Sequence, residues 1–315
     1  MIANLRDRLG ENATLSKAAV PVSLALLVLA TRWPFRTQYL FNWDAANFAF
    51  ALQDFDVTSH APHPPGYPYF VGLAKLFDLF LNDANASMVM ESLLMSALGV
   101  AALFLLGKIM YSPQVGLIAA LLLASSVTFW TYGEVALAYT ALAPFSTLAA
   151  LYTYKTIILG QNRLIPLVLC YAIAGGFRPS LLLFLRLVAG ICIGGFLLWF
   201  LPTAYLSGGL ASYGAAFSAY LSQDVLEKYS PIHNGLGALL VNFRDTAAYL
   251  FYSLYFSSLF LAGSMFLWLR RPRETFGRRE IFILLWVSPM LLFYLFVHIG
   301  DPGYVFSVLP GILLL

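Results

Sequence analysis

The sequence predicts an all-α, polytopic transmembrane helix bundle, and three observations carry that expectation. Of its 315 residues 60% are hydrophobic, well above the roughly 45–50% of soluble domains. Only 10% are charged, and the mean hydropathy is +0.79. The apolar residues also gather into runs near the length of about 20 residues that a bilayer core of about 30 Å demands. The chain therefore reads as one transmembrane domain over residues 1–315, with about eight to ten membrane segments. Its net charge of +3 is carried by arginines in short loops between apolar runs, the positive-inside pattern. With no basic face, nucleic acid is excluded as a partner. Cys170 and Cys192 both sit inside apolar runs, where cysteine behaves as a small hydrophobe, so no disulfide framework or metal motif is expected.

The N-terminal MIANLRDRLGENATLSK is polar, and the run after it lacks a small-residue cleavage site, so the first span is expected to act as its own insertion signal. That span runs from Ala18 to Thr31, extendable through Trp33, and Arg6, Arg8 and Lys17 before it place the N-terminus in the cytoplasm. Gly66 to Leu81 is apolar but holds Lys75 and Asp78, which suits either an interfacial amphipathic helix or a tilted short span. Asn85 to Gly107 is a full span, Val115 to Trp130 returns outward, Ala136 to Ile157 goes in, and Leu164 to Gly176 comes out at Arg178. Asp245 to Leu269 leads into RRPRETFGRRE, whose arginines mark a cytoplasmic loop, and Glu280 to His298 exits at Gly300-Asp301-Pro302-Gly303.

Alternation leaves one conflict. Arg178 and the polar stretch Ser207 to Arg244 both come out on the outer side, with only Ser180 to Leu206 between them. Either that stretch is a re-entrant hairpin near Arg186 and Gly190, or the sequence is shortened there; exposed irregular backbone inside a bilayer favours the shortened reading. The end of the chain in the apolar run GILLL likewise suggests truncation at the C-terminus.

The segment Phe41 to Pro68 holds three aspartates and two of the four histidines, an unusual density of ionisable groups at the edge of a bilayer and hence a candidate site. Phe41, Ala45, Phe48, Leu52 and Phe55 share one helical stripe, and Asp44, Asn47, Ala51 and Asp54 another, predicting an interfacial helix that aims Asp44 and Asn47 at a wet cavity. Asp44 is either a site residue or the cap of this helix. The run from His60 to Pro68 is too rich in proline for a helix. It is either a stiff loop presenting His60, His63 and Tyr67, or a hinge. Glu134, beside Tyr132 at the outer end of a span, is a candidate second acid, metal ligand or substrate anchor, or a solvated interfacial carboxylate. Arg178 is a candidate phosphate ligand through its bidentate fork, or the partner of Glu134 or lipid headgroups. Asp301, with Tyr304 close by, lies where aspartate is an ordinary turn residue.

Asp44, His63-Pro64-Pro65-Gly66-Tyr67-Pro68, Glu134 and Phe177-Arg178-Pro179-Ser180, in this order, resemble the glycosyltransferase C (GT-C) superfamily. The likeness is greatest to its protein O-mannosyltransferase and aminoarabinose transferase branch and to related prokaryotic membrane proteins with an Asp followed by HPPGYP. It covers most of Phe41 to Arg178, with a weaker echo in GDPGYVFSVLP. The resemblance implies a GT-C-like fold and an inverting transferase that takes a sugar from a polyprenyl-phosphate carrier at the outer face of a prokaryotic cytoplasmic membrane. It implies Asp44, Glu134 and His63 as catalytic residues. It further assigns Arg178 to the lipid phosphate, and Asn47, His60, Tyr67, Tyr132, Asp301 and Tyr304 stand beside these as candidate substrate-binding residues. A divalent metal ion would fall to Asp44 and Glu134. The sequence departs from the pattern near Arg186, in the C-terminal region and in having a lone Asp44 where relatives have paired acids. A transporter, expected to carry ionisable groups in mid-span, and a non-catalytic lipid-binding scaffold are the competing readings.

Overall fold

The computed structural model describes residues 18–178, 189–258, 260, 262, 263, 266 and 277–315, and among these every regular element is helical. The polar N-terminus, Arg186, Pro179, Ser180 and most of the RRPRETFGRRE loop fall outside the described residues. The topological question around Ser180 therefore stays with the sequence.

Among the described residues, α1 (Ala18–Phe35) is the first of three helices long and apolar enough to cross a membrane, with α4 (Ala84–Met110) and α12 (Arg278–Phe296). At 1.5 Å per residue, α4 rises about 40 Å and clears a bilayer core of about 30 Å. It is also the spine of the core. Residues all round it are buried, from Asn85 to Met110, as expected of a helix enclosed by others. α3 (Pro68–Leu81), α5 (Pro113–Ala124) and α7 (Leu142–Thr153) pack against it.

The α4–α5 contact depends on two glycines. A Cβ placed on Gly107 would lie 2.7 Å from the Gly116 Cα, and one on Gly116 would lie 2.7 Å from the Lys108 backbone nitrogen. Small residues at a crossing let helix backbones approach where lipid offers no hydrophobic drive. α5 is too short to cross alone, and the expected single span from Val115 to Trp130 is instead broken at Ser125-Ser126, resuming as α6 (Val127–Tyr132). Ser125 hydroxyl bonding to the Leu122 carbonyl, 3.2 Å away, ends the first piece.

α2 (Trp43–Gln53) is the helix expected in the first outward loop. Its cap is Asn42, whose side-chain oxygen accepts from the Ala45 N–H at 3.0 Å, which leaves Asp44 free for another role. Phe41, expected on the apolar stripe, precedes the helix and is exposed, whereas Ala45, Phe48 and Phe55 are buried. α3 rises only about 21 Å; Phe70, Val71 and Ala74 face the core and Leu79 and Phe80 are exposed.

α8 (Leu164–Phe177) runs up to Arg178 and lies on α7. Gly176 leaves room for the Tyr69 ring of α3, which a Cβ would overlap. α9 (Ala189–Leu206) and α10 (Leu210–Ala219) follow, then a π-helical turn, Tyr220–Leu226. α11 (Pro231–Ser253), kinked at Gly235 where φ is 62°, begins well before the Asp245 expected from hydropathy. After α12 the 3-10 turn Pro302–Ser307 returns the chain to the core.

Replacing Gly116 by leucine should force α4 and α5 apart. Overpacking of this kind costs roughly 1–3 kcal/mol, so thermal unfolding in detergent should show a clear drop in Tm, while Gly72→Leu, with open space around its Cα, should leave Tm nearly unchanged.

Candidate active site

Asp44 and Asn47 sit one turn apart on α2 and line a cavity of about 480 Å³, within the roughly 300–1,000 Å³ range of small-molecule sites. The loop after α2 contributes His60, His63 and Tyr67, the turn at Ala138–Ala141 contributes Tyr139, and the end of α8 contributes Arg178. The π-helical turn and its continuation add Tyr220, Asp224 and Lys228, and the segment after α12 adds His298, Asp301 and Tyr304. Segments distant in sequence thus converge on one polar cavity.

The proline-rich loop is held from both sides. Its start forms a turn in which Asp56 accepts from the Thr58 N–H at 2.8 Å, and the Val57 N–H donates to Ser207 Oγ at 3.1 Å. Near its end the Pro65 carbonyl accepts from the Tyr213 hydroxyl at 3.1 Å. Gly66, at φ 108°, passes so close to Thr203 and Val57 that a Cβ would lie 2.7 Å and 2.9 Å from their methyl carbons. Glycine is needed there on both grounds. Anchored in this way, the loop sets His63 and Tyr67 in the cavity wall.

His63 stands between Asp44 and Tyr67. Its Nδ1 lies 3.6 Å from Asp44 Oδ1, and its Nε2 is 3.1 Å from the Tyr67 hydroxyl. Phe48 packs edge-on against the Tyr67 ring. Burial, followed by the Arg178 charge and against the pull of Asp44, lowers the His63 pKa to about 4. His63 is therefore neutral at physiological pH. His298, which packs on Tyr229 and Tyr304, is lowered to about 4 by burial and then by Arg178.

Arg178 is only 4% exposed. Its guanidinium carbon lies 3.9 Å from the Tyr139 ring centre, 4.6 Å from that of Tyr304 and 5.5 Å from that of Tyr67. The ion pairs among the described residues join His63 to Asp44, Lys228 to Asp224 and Arg244 to Asp245, and none involves Arg178. Each desolvated cation–π contact contributes on the order of 0.5–2 kcal/mol, whereas a buried ion costs several kcal/mol. The three rings and a hydrogen bond with Tyr139 offset part of that cost. Gly303 allows the arrangement, because a Cβ there would overlap the Tyr139 ring.

Asp301 also lines the cavity. It accepts from the Tyr132 hydroxyl and, at 3.2 Å, from the Gly303 N–H, and burial raises its pKa. Tyr132 itself stays behind the cavity wall. The turn role expected for Asp301 is present, since it caps Pro302–Ser307, and it is joined to the site as well.

Glu134 does not join this site. Its backbone carbonyl accepts from Thr37 N and Thr37 Oγ1 at 2.8 and 3.0 Å. Burial raises the pKa of its carboxyl, against a hydrogen bond from Trp130 and the more distant Arg32 charge. Arg32 is itself enclosed, donating to the Ala124 carbonyl at 3.2 Å and lying over the Phe129 and Trp130 rings. Neither a Glu134–Arg178 pair, one of the roles open to Arg178, nor a site shared by Asp44 and Glu134 is found among the described residues, and Glu134 lies in a separate region near α1. Among the described residues no three histidine, cysteine or acidic side chains converge on a point that could hold a metal ion, so a metal bridging Asp44 and Glu134 does not fit these residues.

Tyr139, Tyr220, Asp224, Lys228 and His298 were not among the expected site residues. Tyr220, Asp224 and Lys228 are spaced four apart, a helical-face signal that was present in the sequence. Tyr139 had no such signal, lying in the apolar stretch ALAYTALA. Glu91 is buried within α4 with no hydrogen-bond partner for either carboxylate oxygen among the described residues, and it does not line the cavity.

No family model and no curated protein matches the sequence. The fold does match solved structures. ArnT from Cupriavidus metallidurans bound to undecaprenyl phosphate aligns with 95% of this chain at a TM-score of 0.59 and 13% identity, and its apo state with 96% at the same score and identity. This chain spans 59% of the length of those proteins. It therefore shares the fold of ArnT, an all-helical bundle with several apolar helices, and the expected fold class is borne out.

The depressed histidines set a pH dependence. Above pH 6.5 both are neutral whether folded or unfolded. Below it the unfolded chain takes up protons that the folded protein refuses until about pH 4, so stability falls as pH drops through that window. Each histidine contributes up to roughly 3 kcal/mol to the fall. His63→Gln should flatten the slope of unfolding free energy between pH 6.5 and 4, measured by denaturant titration in detergent.

Proposed function

We propose that this chain is a membrane glycosyltransferase that moves a sugar from a polyprenyl-phosphate carrier to an acceptor at the outer face of a prokaryotic cytoplasmic membrane, with inversion at the anomeric carbon. The observation that carries the reading is Arg178, a buried guanidinium with no carboxylate partner among the described residues, opening onto the same cavity as Asp44. That ArnT has been solved with undecaprenyl phosphate supports a lipid-phosphate ligand for the shared fold.

Displacement at an anomeric carbon needs two things of the protein. A base must take the acceptor's proton, and a cation must stabilise the charge that builds on the departing phosphate. Asp44 serves as the base. Arg178 receives the phosphate, with the hydroxyls of Tyr139 and Tyr304 available as further donors. Asn47 and His298 line the space between for the sugar. Glu134, outside the cavity, has no step in this reaction.

Asp44→Asn keeps the side chain's shape and removes its basicity. Transfer from undecaprenyl-phosphate mannose or undecaprenyl-phosphate aminoarabinose to a membrane extract should fall by on the order of 10²–10⁴-fold, while binding of undecaprenyl phosphate persists. Undiminished transfer by this variant would remove Asp44 from the mechanism. Glu134→Gln should retain most activity.

A further inference from the structure

Tyr67 is held in a conformation that its residue type disfavours. Its backbone is left-handed, φ 48° and ψ 49°, which costs a residue with a Cβ roughly 1–2 kcal/mol. Strain of this kind persists where the surroundings impose it, and it gathers at functional sites. Here it sets the phenol between two groups of opposite use. One is His63 Nε2 at 3.1 Å; the other is the Arg178 guanidinium, 5.5 Å from the ring centre. The ring is 4% exposed, and burial raises its pKa well above the ordinary value, so its hydroxyl keeps its proton.

The other end of the chain of contacts is informative for being long. His63 Nδ1 is buried without a hydrogen bond, 3.6 Å from Asp44 Oδ1. A bare imidazole nitrogen and a carboxylate are both acceptors and stand apart in this way. Once the carboxylate takes a proton, the pair becomes donor and acceptor and can close. With the His63 proton on Nε2, that nitrogen donates to the Tyr67 oxygen 3.1 Å away.

We infer that Tyr67 is a catalytic residue which, through His63, passes the proton that Asp44 takes from the acceptor on to the departing phosphate. The inference rests on the transferase reading and takes an acceptor that bears a hydroxyl group. The acceptor oxygen bonds to the anomeric carbon as its O–H bond breaks and its proton goes to Asp44. The anomeric carbon–oxygen bond to the phosphate breaks, and its electron pair stays on the phosphate oxygen. The proton on Asp44 then moves to His63 Nδ1, the proton on Nε2 moves to Tyr67, and the Tyr67 hydroxyl proton moves to the phosphate. One proton has passed from acceptor to phosphate, nothing is oxidised, and Asp44 is a carboxylate again. His63 completes the cycle in its other tautomer and returns by ring exchange before the next turnover.

Tyr67→Phe removes the hydroxyl and keeps the ring against Arg178. With undecaprenyl-phosphate mannose or aminoarabinose as donor, kcat should fall by roughly 10²-fold with the donor KM unchanged. The solvent deuterium isotope effect on kcat should change from a multi-proton to a single-proton dependence. Nitrogen NMR of the resting protein, labelled at histidine, should show the His63 proton on Nε2. An unchanged kcat in Tyr67→Phe, or a resting His63 proton on Nδ1, overturns the relay and leaves the transferase reading standing. Absence of transfer by the wild-type protein from either donor overturns the transferase reading, and the relay with it.

Discussion

The interaction on which the site depends is the enclosure of one cation by three phenol rings. Arg178 ends α8, Tyr139 comes from the turn before α7, Tyr304 follows α12, and Tyr67 closes the proline-rich loop. Elements from opposite ends of the chain must therefore be in place before the guanidinium is covered. A buried charge left in this state is costly, and the structure keeps it without giving it a carboxylate among the described residues. On the proposed function, the missing counter-ion among the described residues is the phosphate of the lipid.

The rest of the bundle serves that arrangement. α4 provides an enclosed spine, and the close approach at Gly107 and Gly116 fixes α5 against it. Gly176, Gly303 and Gly66 each give up a side chain where a tyrosine or a methyl group must pass. On the other side of the cavity, Asn42 takes over the capping of α2, so that the Asp44 carboxylate is directed to His63. Cation and carboxylate end up in one cavity, joined by a neutral histidine and a tyrosine.

Much of this was legible in the sequence. Hydropathy located α1, α4, α8 and α12, and the 3,4-spaced pattern after Phe41 located α2 with Asp44 and Asn47 on its wet side. The density of proline between Ala61 and Pro68 marked a shaped loop. What was not legible depends on distance in the chain. Glu134 reads as an outward acid beside aromatics, yet it lies outside the cavity lining, its backbone carbonyl bonded to Thr37, about a hundred residues earlier. Tyr139 looks like one more interfacial aromatic until Arg178 is seen lying on its face. Hydropathy also treats Ser207 to Arg244 as a polar connection, because the spacing of Tyr220, Asp224 and Lys228 matters only once a π-helical turn aims them inward.

The central claim is that Arg178, with no carboxylate partner among the described residues, receives a lipid phosphate. Native mass spectrometry of the detergent-solubilised protein can compare undecaprenyl phosphate with undecaprenol, which has the same tail and no charge. The account predicts that the wild-type protein prefers the phosphate and that Arg178→Gln loses the preference while still binding the tail. Equal retention of the two lipids by the wild-type protein, or an undiminished preference in Arg178→Gln, would contradict it.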